Sequence, residues 1–282
     1  MLTNTFLHFS GIGTKTEAGL WERGISDWER LEDALRSNKW KNRDSPRLVE
    51  EINKSWKSLE RGEPNYFAQK TPSREHWRLF GEFRDQAAFL DIETTGLGFP
   101  HDHITTISLY DGRNIRYYVW GENLQKFKED IKKYSLLVTY NGKLFDCPFI
   151  EKYFNISLEL AHIDLRYVLH ALGYRGGLKG CERQMGIGRG DLDGVNGYMA
   201  VLLWREYRNR GDIRALETLL SYNIEDTVNL EKLACLAYNM LVSSTPFKEN
   251  TLNHPEQSTI PFSPSREIIN RLSQKLNGGY TR

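Results

Sequence analysis

The sequence predicts an α/β fold, a mixed five-stranded sheet flanked by helices, on three observations. From residue 87 the hydrophobic pattern changes from helical spacing to short apolar runs of strand length, at Ala87–Asp91, Thr105–Leu109, Ile115–Trp120, Leu136–Tyr140 and near Leu160–Ile163. Asp111-Gly112 is a hairpin signal between the second and third runs, so the first three strands should pair antiparallel. Helices then alternate with the later strands, which suits parallel additions to the same sheet. The apolar run Ala87 to Leu90 reads as a buried central strand.

The remaining elements follow from periodicity. Charged helical spacing over Asn123–Tyr134 predicts one helix, and a second runs from about Phe145 to Phe154. After the fifth strand the chain reads as helical to about Met240, over Leu165–Leu172, Leu178–Met185, Tyr198–Arg210 and Ile213–Tyr238. The segment 87–240 is therefore expected to form the main domain. The 282 residues suffice for a domain of about 150–200 residues and something smaller. A hydrophobic share of 39% and a charged share of 27% fit a globular protein with a real core, and the net charge of +1 neither requires nor excludes an acidic partner. Cys147, Cys181 and Cys235 are widely spaced, without disulfide or metal-site spacing, which points to a reducing cytoplasm. No apolar run approaches a membrane span and no signal-peptide pattern opens the chain, so no membrane partner is expected.

Three flanking segments accompany this domain. In residues 1–40 a Gly-hydrophobic-Gly turn, Gly11-Ile12-Gly13, feeds an amphipathic helix from about Lys15 to Arg23, and a second helix covers Ser26–Ser37. Backbone N–H groups at such a turn can hold a phosphate, which makes Gly11, Gly13 and Lys15 candidate contacts to a nucleic-acid backbone. The pattern Gly-Ile-Gly-x-Lys-Thr…Leu-Trp-x-x-Gly-Ile resembles the second half of a helix-hairpin-helix, whose first helix here has only Asn4 to Phe9 available. The competing reading is a small helical pair that packs on the main domain. Residues 41–86 read as a helical connector, with Leu48, Ile52, Trp56 and Leu59 at helical spacing and a short helix from Arg74 to Phe83; Trp56 and Trp77 read as packing residues. Residues 241–282 are rich in Ser, Thr, Asn and Pro and are expected to be mostly disordered, with one amphipathic stretch at Arg266–Leu276.

The chemistry sits on acids. Side chains alternate along a strand, so Asp91 and Glu93 share a face while Ile92 points the other way. Two carboxylates that close repel, and a Mg²⁺ or Mn²⁺ ion relieves the repulsion with hard oxygen ligands. The plainer reading is a strand end turning into solvent. Asp146 follows the Asn141-Gly142 turn and opens a helix with Pro148 in its first turn, which reads as N-capping. That helix start would also lie beside the ends of the central strands, so both roles can coexist. Tyr222 and Asp226 are one helical turn apart and share a face, where a half-buried acid needs a partner such as a metal unless the face is solvated.

Taken together, Asp91 and Glu93, then Asp146, then Tyr222 and Asp226 resemble the three exonuclease motifs of the DEDD superfamily. Asn-Gly-x-x-Phe-Asp-x-Pro-Phe-Ile resembles the second motif of family B DNA polymerase proofreading domains, and Tyr-x-x-x-Asp marks the tyrosine subclass. Across residues 47–238 the chain is similar to the YprB-like exonucleases, including Trp77-Arg78-Leu79-Phe80 and His162-Ile163-Asp164-Leu165, although many of that group have His at the position of Tyr222. The resemblance implies a ribonuclease H-like fold and 3′–5′ exonuclease chemistry with two Mg²⁺ or Mn²⁺ ions held by Asp91, Glu93, Asp146 and Asp226. It implies that Tyr222 orients the attacking water. Thr94, Gly96 and Leu97 would contact the terminal nucleotide, and Asn141, Lys143, Phe145, Lys179 and Arg183 are candidates for lining the groove. The partner implied is a single-stranded nucleic acid with a free 3′ end, DNA ahead of RNA on the helix-hairpin-helix-like start, and no protein partner is identifiable. An exoribonuclease and an inactive nucleic-acid-binding protein are the alternatives. Asp164 reads as a structural strand-end residue, and Asp191-x-Asp193-Gly194 lacks the further ligands of a calcium loop.

Overall fold

The computed structural model describes residues 1–40, 44–98, 100–256 and 258–278. After a 3-10 turn at Leu2–Asn4 the chain carries no helix until α1 (Thr14–Glu22), which α2 (Trp28–Arg36) follows. Asp27 starts α2 by accepting the Arg30 N–H at 2.9 Å. The first helix of a helix-hairpin-helix is thus absent, and the reason lies in what residues 5–9 do. Glu17 accepts the Thr5 hydroxyl at 2.6 Å and the Phe6 N–H at 2.7 Å, and the Trp28 indole donates to the Thr5 carbonyl at 2.8 Å. These bonds hold the segment open against α1 and α2, with Phe6 and Phe9 buried.

The connector forms α3 (Ser45–Glu60), α4 (Pro64–Ala68) and α5 (Trp77–Phe83). Trp28 lies 5.0 Å from Trp56 and 5.9 Å from Phe67, ring centre to ring centre. Glu17 also pairs with the buried Arg78 of α5 at 3.0 Å. One continuous apolar core therefore runs from Phe6 and Trp28 through Phe67 and Phe83 to the sheet, so residues 1–40 are not a freestanding unit. Residues 41–43, where the sequence places the boundary between unit and connector, lie outside the described residues.

The sheet contains β1 (Ala87–Thr94), β2 (Ile104–Tyr110), β3 (Ile115–Val119), β4 (Leu136–Thr139) and β5 (Ala161–Asp164), in the order β3-β2-β1-β4-β5. The pairs β1–β2 and β2–β3 are antiparallel, while β1–β4 and β4–β5 are parallel. Gly112, at φ +85°, makes the hairpin turn, in which Asp111 accepts the N–H groups of Arg113 and Asn114. The single helix expected over Asn123–Tyr134 is instead a 3-10 turn, a one-turn helix α6 (Phe127–Asp130) and a second 3-10 turn. Leu124, Phe127 and Ile131, three and four residues apart, are still buried together in one core cluster with the sheet.

Beyond β4 come α7 (Asp146–Phe154), α8 (Leu165–Ala171), α9 (Gly177–Gln184), α10 (Gly197–Arg210), α11 (Ile213–Val242) and α12 (Arg266–Gly278). Alternation along β1 sends Ala88, Leu90 and Ile92 to a core with Phe149 and Ile150 of α7. Ala87 and Phe89 face the other layer, built by α5 and α11. The tail departs from the disorder expected. Phe247 packs 5.4 Å from Trp21, Phe262 packs 5.0 Å from Tyr117, and Ile268 and Leu272, one helical turn apart, are buried. A few apolar groups at the right spacing suffice to seat this segment. Residues 279–282 fall outside the described part of the tail, and no described helix is long and apolar enough to cross a membrane.

Candidate active site

β1 projects past its parallel neighbour, since its pairing with β4 ends at Phe89 and Val138. The overhang carries Asp91 and Glu93 on the α11 side. On that free edge the Ile92 N–H has no β4 partner, and it donates to Oδ1 of Asp146 at 3.1 Å. This corrects the capping role: the N-cap of α7 is Phe145, and Asp146, the first helical residue, turns its carboxylate to the central strand. The turn before it is tightly built. Asn141 takes a left-handed conformation, φ 66°, and Asp164 accepts the N–H groups of Asn141 (2.8 Å), Lys143 (3.1 Å) and Arg166 (3.0 Å). Asp164 is thus structural, as expected, and its work is to place Asp146.

α11 supplies the third wall. Asn223 donates from Nδ2 to Oδ2 of Asp91 at 2.7 Å and to the Asp91 carbonyl at 3.2 Å, pinning the helix to β1. Asp226, nearly one turn on, brings its carboxylate to the pair, and ligand oxygens of Asp91, Glu93 and Asp226 lie within 4.8 Å of one another. Asp146 lines the same cleft of about 360 Å³. Burial, then the neighbouring carboxylates, holds Asp91 and Glu93 well above the ordinary carboxylate range. Burial pushes Asp146 up to about 7 against the opposing pull of the Ile92 N–H. Such a cluster of hard, mutually repelling oxygens fits a divalent cation of the Mg²⁺ or Mn²⁺ kind.

Two cations adjoin the acids, the half-buried Lys179 and the buried Arg189. The Lys179 ammonium donates to the Tyr222 hydroxyl at 2.8 Å and to the Val195 carbonyl, and stands 4.3 Å from the Tyr222 ring centre. Burial lowers the Lys179 pKa, and burial together with Asp226 and Glu93 raises that of Tyr222. Arg189 bridges Glu182, at 2.6 and 2.8 Å, and Asp226.

A second cavity of about 430 Å³ shares Glu93 with the cleft and holds Thr94, Gly96, Leu97 and Phe145, with Tyr198 and Arg205 of α10 on its far side. Leu97 is 85% exposed there. The Thr94 hydroxyl donates to the Gly96 carbonyl at 2.6 Å. A side chain at Gly96 would meet the Asp102 carboxylate at 2.6 Å, so this glycine serves a protein contact. Asn141 lines the acidic cleft. Gly11, Gly13 and Lys15 are exposed on the N-terminal segment, and none of them lines either cavity. Lys143 donates to Ser73 at 2.8 Å, Arg183 lines a neighbouring cavity, Asp191 pairs with Arg266, and Asp193 is exposed.

Sequence reasoning missed Asn223, Glu182, Arg189 and Tyr198. Asn223 carried a signal, a polar residue amid the apolar run of α11 beside Tyr222. Arg189, in a glycine-rich loop, carried none.

Residues 88–238 match the RNase_H_2 family model, described as RNase H superfamily. Among solved structures, the family B DNA polymerase from the hyperthermophilic archaeon Pyrobaculum calidifontis is similar at 15% identity with a TM-score of 0.42; the match covers 58% of this chain and 26% of that one. No curated protein matches significantly. A family model that spans more than half of the residues, and encloses the acidic cleft, places this chain in the RNase H superfamily.

Proposed function

We propose that the protein is a 3′–5′ exonuclease of the DEDD type, tyrosine subclass and YprB-like, which hydrolyses single-stranded nucleic acid from a free 3′ end and releases 5′-mononucleotides. The observation that carries this reading is the meeting of Asp91, Glu93 and Asp226 within 4.8 Å, in the cleft that Asp146 also lines. These four acids would hold two Mg²⁺ or Mn²⁺ ions, which when bound supply the Lewis acidity that phosphodiester hydrolysis demands. Tyr222 takes the Lys179 proton in a hydrogen bond, which leaves its own O–H free to orient a water over the acids. Its raised pKa makes it a positioning group and a poor base. The N-termini of α9 and α10, at Gly177 and Gly197, open on the cleft and favour an incoming phosphate. The cavity between Leu97, Phe145 and Tyr198 offers apolar walls to an unpaired terminal base, which suits a frayed strand over a stacked duplex.

The test presents 5′-labelled and 3′-labelled single-stranded DNA and RNA with Mg²⁺ or Mn²⁺, beside the Asp91→Ala/Glu93→Ala protein. Mononucleotide release from free 3′ ends, abolished by chelator and by the double substitution, is the expected result, with DNA degraded ahead of RNA. Activity that survives the double substitution, or cleavage of circular substrates, overturns the reading.

A further inference from the structure

Arg189 has almost no access to water, its side chain being 5% exposed, and hydrolysis as described leaves it without a part. It sits in the loop between α9 and α10. Its Nε and Nη2 grip both oxygens of Glu182, and Glu182 is steadied from behind by the Asn229 amide at 3.0 Å. That two-point grip fixes the plane of the guanidinium and leaves the remaining nitrogen, Nη1, against Oδ1 of Asp226, with which it forms an ion pair. Arg189 and Glu182 cancel in charge, so the pair adds no net charge beside the four acids. What it changes is the number of oxygens they offer, because one oxygen of Asp226 is already engaged.

We propose that Arg189 is a specificity-determining residue that sets which cations the acidic cleft accepts. By holding one oxygen of Asp226 it limits that carboxylate to a single remaining ligand atom. Small cations that demand six ligands, Mg²⁺ and Mn²⁺, are suited by this; Ca²⁺, which gathers more oxygens and takes carboxylates through both of theirs, is disfavoured. The inference rests on the cation-dependent reading above. It also accounts for the cost of burying a guanidinium beside the cleft, which packing alone would not require.

The experiment is calorimetric titration of the whole protein with Mn²⁺ and with Ca²⁺, in the wild type, in Arg189→Met/Glu182→Gln and in Arg189→Lys. The double variant removes the pair together, so Glu182 is not left as an unpaired buried charge, and Gln keeps an acceptor for Asn229. The Ca²⁺ to Mn²⁺ affinity ratio is expected to rise about tenfold or more in the double variant. It should rise less in Arg189→Lys, whose single ammonium cannot grip Glu182 and aim at Asp226 at once. Thermal melts in chelator verify folding, and Arg189→Lys carries the test where the double variant does not fold. An unchanged ratio in a folded variant, with the wild type binding both ions, overturns this inference alone. Failure of the wild type to bind either ion overturns the hydrolytic reading and this inference with it.

Discussion

The Asp146 carboxylate, held near 7 by burial, couples folding to pH. An unfolded Asp titrates near 3.9, so between about pH 4 and pH 7 the unfolded chain releases a proton that the native chain keeps. The contribution of Asp146 to the stability of the cation-free protein therefore falls as pH rises through this window and levels off above it. Asp91 and Glu93, both shifted upward, act in the same direction. Asp146→Asn keeps an acceptor for the Ile92 N–H and removes the titration. In chelator its melting temperature should match the wild type near pH 4 and exceed it at pH 8, by a stability difference on the order of a few kcal/mol. A parallel pH dependence of both proteins would contradict the shift. Tyr222→Phe keeps the ring under Lys179 and loses only the hydroxyl. Its hydrolysis rate should drop about ten- to hundredfold while calorimetric Mn²⁺ affinity stays at the wild-type value.

Elements show how weak a guide composition is to packing. The polar tail holds few apolar residues, yet Ile268 and Leu272 lie on one face of α12, and Arg271 donates to Glu206 of α10 at 2.6 Å. Leu272→Ala should lower stability by about 2–4 kcal/mol, read by urea denaturation. An effect within error would mean that α12 is only loosely seated. The helix expected over Asn123–Tyr134 shows the converse. Its charge pattern is legible, but the local winding answers to the sheet beneath Leu124, Phe127 and Ile131. Strand β1 was legible in position and in face, because alternation of side chains is a property of the strand itself.

Across the whole molecule, one core ties the N-terminal segment to the sheet. Phe6, Trp28 and Leu31 have no solvent exposure, and Glu17 pairs with the buried Arg78. Deleting residues 1–40 removes a wall of that core and takes Glu17 from Arg78, which keeps only Glu75 of its two carboxylate partners. The truncated protein should lose its cooperative thermal transition and become open to proteolysis at low protease, whatever its substrate affinity. A truncated chain that melts cooperatively near the wild-type temperature would restore the view of a separable binding unit.

The sequence by itself determined the order of strands and helices, the shared face of Asp91 with Glu93, and the one-turn spacing of Tyr222 and Asp226, since each depends on near neighbours along the chain. Only the tertiary structure decided that Asp146 bonds the free edge of β1, that Asn223 pins α11 to Asp91, and that Arg189 engages Asp226. These partners are distant in the chain, and their pairing is set by how the buried faces pack and by the need of each buried polar group for a counterpart, which no local pattern encodes.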